Sequence, residues 1–287
     1  MILLIDRLKT IVSTRTGQNR LWVRTLLKEP IQDYILHFVY NSSKYKQFIF
    51  TGGTALRKLY GLPRLSEDLD FDLRHVIDIE EFTKDLQVYI VEKLMYKDVM
   101  TKIAGNEQSV FLKFPKLLSE IGFAKTGHES KQLIVRCDLS LEMLGNYDTE
   151  VRSITIQNTV FFVEGYDLST LFANKIIAFL KRTFFRGEKQ KISFKGRDLF
   201  DLVWLLERSI GSNMQFQPNW ERVYKAMGTR DRKKILQQIL TKTESIKKED
   251  LANDLIPFLE PSTVQAFKEN FQLVLSTQIN NFLKWLP

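Results

Sequence analysis

The stretch that most constrains the fold is residues 48–74, where a short apolar run stops at two glycines and a second run alternates aspartate with apolar residues. Phe48–Phe50 predicts a buried strand and Thr54–Tyr60 predicts a helix. Between them, Gly52 and Gly53 let backbone amides approach a ligand without an intervening side chain. The unpaired amides and the dipole at a helix N-terminus favour an anion, so this order predicts a phosphate-binding turn.

The second run places two carboxylates on one face of a strand. Alternate residues of a strand share a face, so Asp68 and Asp70 point together while Leu69 and Phe71 anchor the strand in a core. Neighbouring carboxylates repel each other unless a cation lies between them. Magnesium suits this position, because it takes one or two protein carboxylates and fills its other positions with water and phosphate. The alternative is a solvated acidic strand edge.

A third carboxylate, Asp138, lies inside an otherwise apolar run at Ile134–Leu141. A buried carboxylate without a partner is costly, so Asp138 requires either an ion pair or a metal. Arg136 shares its face and could supply the ion pair. An Asp-x-Asp pair acting on phosphates usually uses a third carboxylate from a neighbouring strand, which favours a role for Asp138 as metal ligand or base.

The composition is that of an ordinary globular chain. Its 287 residues, 44% of them hydrophobic, can bury one large core or two smaller ones. A single cysteine, Cys137, excludes an internal disulfide and fits a reducing compartment. No apolar run approaches the length of about 20 residues that spans a bilayer, and the start lacks the features of a signal peptide. These observations predict a cytoplasmic protein with no membrane association.

Positive charge is concentrated in the second part of the chain. Residues 171–287 carry 20 Lys and Arg against 12 Asp and Glu, whereas residues 1–170 carry 22 of each. Eight of these cations fall within residues 175–197, where Glu188 is the one acid. Such a cluster can be merely a solvated face. Together with a metal and phosphate site, it favours a polyanionic partner, either a nucleoside triphosphate, a nucleic acid or both.

The periodicity of the chain predicts an α+β fold with two domains. Residues 1–47 are predicted helical, with Asn19 as a cap and Pro30 starting a new helix. A long amphipathic helix is predicted over 76–100, and a change of period indicates the remaining strands of a mixed sheet. The predicted domains are residues 1–165, a helix-flanked sheet, and residues 166–287, a helical and basic domain. The remaining predicted strands are 109–114, 133–141, 154–156 and 159–163.

The helical domain contains three polar residues of interest. A helix from Asp167 or Ser169 to about residue 185 places Lys175 against its apolar stripe. Lys175 could snorkel to water, or it could hold its ammonium over a triphosphate. Asp198 and Asp201 lie one turn apart at the start of a helix over 197–208, where the dipole alone could explain them. The basic segment 186–195 is predicted to be a loop.

These motifs together resemble the AbiEii/AbiGii toxin family, which includes the MenT toxins and belongs to the DNA polymerase beta-like nucleotidyltransferase superfamily. The resemblance covers roughly residues 20–207. It implies a nucleotidyltransferase-type fold and the toxin half of a bacterial toxin–antitoxin pair, with a cognate antitoxin as partner. It also implies transfer of nucleotides from an NTP to the 3′ end of tRNA, which blocks aminoacylation. The segments that carry it are Gly52-Gly53-Thr54-Ala55-Leu56, Arg64-Leu65-Ser66-Glu67-Asp68-Leu69-Asp70-Phe71, Lys175-Ile176-Ile177-Ala178 and Arg197-Asp198-Leu199-Phe200-Asp201.

The resemblance also assigns roles to individual residues. Lys175 matches the essential lysine, which serves both catalysis and nucleotide binding, and Asp198 matches the later essential acid. Asp68 and Asp70 match the metal pair. Asp138, which is proposed from its strand context and not from the resemblance, would join them in holding two Mg²⁺ ions. The nucleotide-binding set is Gly52, Gly53, Thr54 and Ser66 together with Lys175. The set expected to follow the backbone of the RNA is Lys181, Arg182, Arg186 and Arg197.

Two other functions remain open from the sequence. The enzyme could transfer a nucleotide to a protein or a small molecule, as antibiotic-modifying members of the same superfamily do. The basic C-terminal domain argues against this alternative. The chain could also be a non-catalytic binding module, but loss of a metal carboxylate would be expected in that case, and both Asp68 and Asp70 are present.

Overall fold

The computed structural model describes residues 4–105, 108–124, 129–182, 184–186, 190–192, 194–211 and 216–285. The chain forms two compact units. The first contains the residues up to Met143 together with Thr149–Gly165, and the second contains Leu144–Asp148 and the chain from Tyr166 onward. The domain boundary predicted from the sequence lies after residue 165.

The first unit, here called the sheet unit, combines a mixed β-sheet with helices. Asn19 caps its second helix, as predicted, because its side chain accepts hydrogen bonds from the backbone N–H groups of Leu21 and Trp22. Pro30 lies in the first turn of the third helix, also as predicted. In chain order the elements are α1 (Leu4–Thr14), α2 (Arg20–Leu26), α3 (Glu29–Asn41), β1 (Ile49–Thr51), α4 (Gly52–Tyr60), β2 (Asp68–Leu73), α5 (Ile79–Leu94), β3 (Met100–Ala104), β4 (Ser109–Phe114), α6 (Leu117–Glu120), β5 (Leu133–Leu141), β6 (Thr149–Ile156) and β7 (Thr159–Tyr166).

Within the described residues, seven strands form one sheet in the order β3-β4-β5-β2-β1-β7-β6. Strand β2 lies near its centre, antiparallel to β1 and parallel to β5. Strand β1 is parallel to β7, and β4 is antiparallel to both β3 and β5. The mixed sheet with flanking helices confirms the predicted α+β class. It also places the strand that carries Asp68 and Asp70 between two neighbours that can contribute further side chains.

An aromatic cluster fixes β1 and β2 in the core. Phe48, Phe50 and Phe71 are at most 1% exposed. The ring centroid of Phe71 lies 5.9 Å from that of Phe48 and 5.5 Å from that of Phe50. Phe82 of α5 joins the cluster at 5.6 Å from Phe48. Such ring packing adds to the burial of apolar area, so the turn between β1 and α4 is built on a rigid base.

The helix predicted over 76–100 is wrong at both ends. Asp78 starts α5 by accepting hydrogen bonds from the backbone N–H groups of Glu80 and Glu81. The helix ends at Leu94, because Met95 adopts the left-handed conformation with φ 55°. Met100–Ala104 then forms β3, which pairs with β4 over its whole length. Pairing with a strand elsewhere in the chain therefore overrides the helical periodicity of this segment.

The second unit, here called the helical unit, begins with α7, whose predicted cap is confirmed because Asp167 accepts from the backbone N–H of Thr170. The helix ends at Lys181, four residues before the predicted end. The predicted loop over 186–195 is wrong in part, because two short antiparallel strands form there. The elements of the unit are α7 (Leu168–Lys181), β8 (Phe184–Arg186), β9 (Gln190–Ile192), α8 (Gly196–Gly211), α9 (Trp220–Met227), α10 (Arg232–Glu244), α11 (Lys248–Leu255) and α12 (Pro261–Trp285).

Helix packing accounts for most of the core of the helical unit. The apolar stripe of α8 is buried, with Leu199 and Leu202 at most 1% exposed. On α12, Phe271 and Leu275 are similarly buried. This confirms that the C-terminal part of the chain is helical. Among the described helices, none combines the length and the apolar composition needed to cross a membrane.

We expect the thiol of Cys137 to react with 5,5′-dithiobis-(2-nitrobenzoic acid) only after the protein unfolds. Cys137 lies on β5 and is fully buried. Burial raises the pKa of this thiol, and the negative charges of Asp138, Asp68 and Asp70 raise it further. Thiolate is the reactive form, so both access and ionisation are suppressed. Absorbance measured first in native buffer and then in concentrated guanidinium chloride tests this expectation, and rapid reaction of the native protein would contradict it.

Candidate active site

The glycine turn after β1 lies directly against Asp70. Gly52 has φ +77°, a conformation that side chains of L-residues rarely adopt. A Cβ atom added there would overlap the carboxylate of Asp70 and would lie 3.0 Å from its Cβ. Because the contact includes the root of the Asp70 side chain, rotation of the carboxylate alone would not relieve it. The structure therefore brings together the predicted phosphate-binding turn and one of the predicted metal ligands.

Substitution of Gly52 by Ala should damage the site far more than the same change at Gly61. Both glycines have almost the same backbone conformation, with φ +77° and +78°, so the strain of adding a side chain is matched. At Gly61 an added Cβ meets nothing within 4 Å, whereas at Gly52 it overlaps Asp70. We expect Gly61→Ala to cost about 1 kcal/mol in the free energy of unfolding, as is usual for a strained alanine.

We expect Gly52→Ala to lower the free energy of unfolding by at least as much as Gly61→Ala and, in addition, to displace the side chain of Asp70. Urea unfolding and a transferase assay on the two purified variants measure the two effects. Equal activity of the two variants would show that the contact between Gly52 and Asp70 has no importance for the site.

The second glycine of the turn lies against a buried arginine. A Cβ atom added at Gly53 would overlap Nη2 of Arg64 and would lie 3.1 Å from Oγ of Ser66. Arg64 is 3% exposed, and its Nη1 donates to the backbone carbonyl of Leu65 at 2.8 Å. The structure thus places Ser66 at the turn, in keeping with its predicted nucleotide-binding role, and adds the guanidinium of Arg64.

Thr54 links the turn to the strand of the aspartates. Its side chain is fully buried, and its hydroxyl donates a hydrogen bond to the backbone carbonyl of Asp68. The N-terminal turn of α4 is therefore tied to the first residue of β2. Nucleotide binding by Thr54 stays a prediction, and the observed hydroxyl contact gives this residue a part in positioning Asp68.

The aspartates occupy one face of the sheet, as the alternation predicts. On β2, Leu69 and Phe71 are buried while Asp68 and Asp70 are half-buried. Strand β5 runs parallel beside it in a register that puts Asp138 opposite Asp70 and Arg136 opposite Asp68. Side chains of directly paired residues project from the same face. Three carboxylates and one guanidinium are therefore gathered on two adjacent central strands.

Arg136 connects two of these carboxylates. Its Nη2 lies 3.2 Å from Oδ2 of Asp68 and 2.6 Å from Oδ2 of Asp138. The other carboxylate oxygen of Asp138 accepts a hydrogen bond of 2.6 Å from Oγ of Ser109 on β4. The ion pair proposed from the sequence as the simpler explanation of Asp138 is thus present.

The donor atoms of this face suit a hard divalent cation. No group of three His, Cys, Asp or Glu side chains has converged on one point among the described residues. The strand register nevertheless places Asp138 beside Asp70, on the face that also carries Asp68, so the three carboxylates lie in a common region of the sheet. Carboxylate oxygens are the ligands that Mg²⁺ prefers, with water and phosphate completing its coordination. These residues therefore fit the metal that the sequence predicts.

A second group of predicted residues lies in the helical unit. The side chain of Lys175 is 11% exposed, and its Nζ lies 3.0 Å from Oδ1 of Asp198 and 2.7 Å from Oδ2 of Asp201. These carboxylates are 3% and 0% exposed. The ammonium is thus buried between two acids, so the snorkelling alternative is wrong. The dipole at the start of α8 is also insufficient to explain the acids, because both pair with Lys175.

The predicted RNA-binding residues have different surroundings. Arg182 forms an ion pair with Asp198, and the guanidinium of Arg197 packs 4.3 Å from the ring centroid of Phe258 and pairs with Asp254. Lys181 is exposed at the end of α7. The side chain of Arg186 lies outside the described residues.

The cations near Asp198 repel one another. Burial lowers the pKa of Lys195, and the nearby charges of Arg197 and Arg182 lower it further. Burial likewise lowers the pKa of Lys242, whose ammonium donates to the backbone carbonyl of Phe179 at 2.6 Å. The helical unit therefore concentrates positive charge that its own acids compensate only in part.

The chain matches one known family over residues 36–277, that of the nucleotidyl transferase AbiEii toxin of type IV toxin–antitoxin systems. No curated protein matches the chain in sequence. Among solved structures it is similar to a proposed nucleotidyltransferase from H. pylori, with 17% identity, a TM-score of 0.46 and coverage of 92% of this chain and 98% of the other. It is also similar to MenT4, a nucleotidyltransferase toxin from Mycobacterium tuberculosis H37Rv, with 13% identity, a TM-score of 0.45 and coverage of 93% of this chain and 98% of the other. A third similar structure is JHP933 from Helicobacter pylori, with 18% identity, a TM-score of 0.41 and coverage of 91% of this chain and 97% of the other.

Proposed function

This chain belongs to the AbiEii family of nucleotidyl transferase toxins of type IV toxin–antitoxin systems, and from that membership we propose that it transfers nucleotides from an NTP to the 3′ end of tRNA with Mg²⁺. Such a modification would block aminoacylation and translation in the cytoplasm, and a cognate antitoxin would neutralise it. The observation that carries the proposal is the contact of the Gly52 turn with Asp70, on the face that also holds Asp68 and Asp138.

The metal would be held by the sheet unit. Asp68 and Asp70 would bind Mg²⁺, and Asp138 would complete a site for a second ion. When bound, the metal would stabilise negative charge on the triphosphate and favour ionisation of the attacking hydroxyl. The 3′-oxygen of the acceptor forms a bond to the α-phosphorus as the bond to the β-phosphate oxygen breaks, and pyrophosphate leaves. Asp138 would receive the proton of the hydroxyl.

The turn would hold the phosphates. The first backbone amides of a helix have no partner within the helix and favour an anion, so those of α4 would bind phosphate oxygens. Gly52 and Gly53 keep this approach clear of side chains. Ser66 and the guanidinium of Arg64, which lie beside Gly53, would add a hydroxyl and a positive charge. A bidentate guanidinium suits phosphate oxygens particularly well.

For Lys175 we propose a role in nucleotide binding. Its contacts with Asp198 and Asp201 hold the ammonium in one orientation. Asp198 and Asp201 are therefore proposed as positioning residues. The excess of cations in residues 171–287, including exposed Lys181, supports an RNA acceptor, because positive charge supplies the sequence-independent part of nucleic-acid binding.

Incubation of the purified protein with each of the four α-³²P-labelled NTPs and total tRNA tests the proposal. We expect label at the 3′ end of tRNA in the presence of Mg²⁺ and none after chelation with EDTA. Label in a protein or small-molecule fraction in place of tRNA would favour the alternative acceptors. Absence of label in every fraction would favour the non-catalytic binding module.

A further inference from the structure

Arg136 is placed where a cation bound by the carboxylates would compete with it. Its Nη2 contacts one oxygen each of Asp68 and Asp138, which come from two adjacent strands. Oδ1 of Asp138 is already engaged by the hydroxyl of Ser109, so Oδ2 is the oxygen that faces the guanidinium. A metal that used the Oδ2 atoms of both acids would have to replace Arg136 as their partner.

The positive charge of Arg136 is only partly screened by solvent. An arginine side chain carries a positive charge. The side chain of Arg136 is 37% exposed and those of Asp68 and Asp138 are 25% and 24% exposed, so solvent screens their attraction in part. Competition between the guanidinium and a metal is therefore expected under all ordinary conditions.

The hydrogen bonding of Arg136 is nevertheless incomplete. Its Nε is buried and has no hydrogen-bond partner among the described residues. A guanidinium carries five donors, and a buried donor without a partner is costly. Arg136 is thus held by the charges of the two carboxylates more than by a closed hydrogen-bond network. A ligand that offered additional acceptors would be able to draw it away.

We propose that Arg136 couples metal binding to nucleotide binding. Alone, a divalent cation has to displace the guanidinium from Asp68 and Asp138, and Arg136 is left without an anionic partner. When the triphosphate enters with the metal, its oxygens give the guanidinium new acceptors. Free metal is therefore bound weakly and the metal–nucleotide complex strongly. This inference rests on the proposed function, because it takes Asp68 and Asp138 as metal ligands.

Calorimetric titration of the full chain with Mn²⁺ tests the coupling without any measurement of turnover. We compare the wild type, Arg136→Met and Arg74→Met. Arg74 serves as a matched control, because it is an arginine of the sheet unit that pairs with Glu164, 2.5 Å away. We expect Arg136→Met to bind Mn²⁺ about tenfold more tightly than the wild type, since one neighbouring cation is removed from the carboxylates. Arg74→Met should bind Mn²⁺ like the wild type.

A second titration uses the α,β-methylene analogues of the NTPs, with and without saturating Mn²⁺. Mn²⁺ should increase analogue affinity about ten times more in the wild type than in Arg136→Met. Removal of Arg136 strengthens the binding of Mn²⁺ alone by about that factor, and the effect of Mn²⁺ on analogue affinity equals the effect of the analogue on Mn²⁺ affinity. Arg136→Gln, which keeps polar atoms at this position, repeats both measurements if the methionine variant does not fold.

The outcomes separate this inference from the proposed function. If the Arg136 variants bind Mn²⁺ no more tightly than the wild type, while the wild type binds Mn²⁺ and analogue together, the coupling by Arg136 is overturned and the metal site stands. If neither the wild type nor any variant binds Mn²⁺, with or without analogue, the proposed metal site is overturned and the inference falls with it.

Discussion

Replacement of Asp70 by Asn should reduce nucleotide transfer by at least about a thousandfold without unfolding the protein, since a metal-based stabilisation of several kcal/mol depends on its negative charge. The amide is nearly isosteric with the carboxylate, so the contact with Gly52 is preserved. A half-buried residue at the open face of β2 also contributes little apolar packing. Initial rates with labelled NTP measure the loss, and circular dichroism with thermal unfolding establishes that the variant is folded.

Asp72→Asn is the matched control for this prediction. Asp72 lies on the same strand and the same face as Asp70, and its burial is similar. It lies opposite Ser140 on β5, whereas Asp70 lies opposite Asp138. The substitution Asp72→Asn should therefore leave the rate of nucleotide transfer within about tenfold of the wild-type rate. Full activity of a folded Asp70→Asn protein would falsify the metal role of Asp70, and equal losses in both variants would point to a general effect of charge on this face.

Lys175→Met is expected to destabilise the helical unit by about 3 kcal/mol, in addition to abolishing transfer, because it leaves buried carboxylates without their cation. Asp198 keeps its ion pair with Arg182. Asp201 is 0% exposed and loses the ammonium 2.7 Å away, so part of the cost falls on this residue. Methionine retains the apolar stem of lysine, which separates the loss of charge from the loss of packing. Urea unfolding measures the change in free energy.

The double variant Lys175→Met with Asp201→Asn isolates the cause. Removing the buried charge of Asp201 should restore about half of the lost stability, while transfer remains abolished. The single variant Asp201→Asn should retain a folded protein in which Lys175 still pairs with Asp198. If the double variant were as unstable as Lys175→Met, the destabilisation would have to come from packing and not from the buried charge of Asp201.

The core of the fold could be predicted because its signals are local. The apolar run before Gly52, the helix that follows and the alternation of Asp68 and Asp70 with Leu69 and Phe71 each need only a few neighbouring residues. Strand β3 and the strands β8 and β9 could not be found in this way. Their residues are held in extended conformation by hydrogen bonds to a second strand, so the information lies in the pairing.

The candidate site shows the same limit. That Asp138 shares a face with Arg136 follows from the period of a strand, and the structure adds that Arg136 also reaches Asp68. Arg64 and Asp201 escaped prediction as site residues because their roles depend on tertiary contacts. Arginines and aspartates are seldom fully buried unless paired, and only the fold shows which partner each has found. Lys175 was singled out because a lysine on an apolar stripe already requires an explanation.

The close fit between Gly52 and Asp70 has an evolutionary consequence. A side chain at position 52 and the aspartate at position 70 exclude each other sterically, so position 52 can accept a side chain only after position 70 has changed. The backbone conformation at position 52 favours glycine even then, so the constraint on the two positions is unequal. Homologues that retain the toxin's active site should keep both residues, while inactive descendants should lose Asp70 before Gly52.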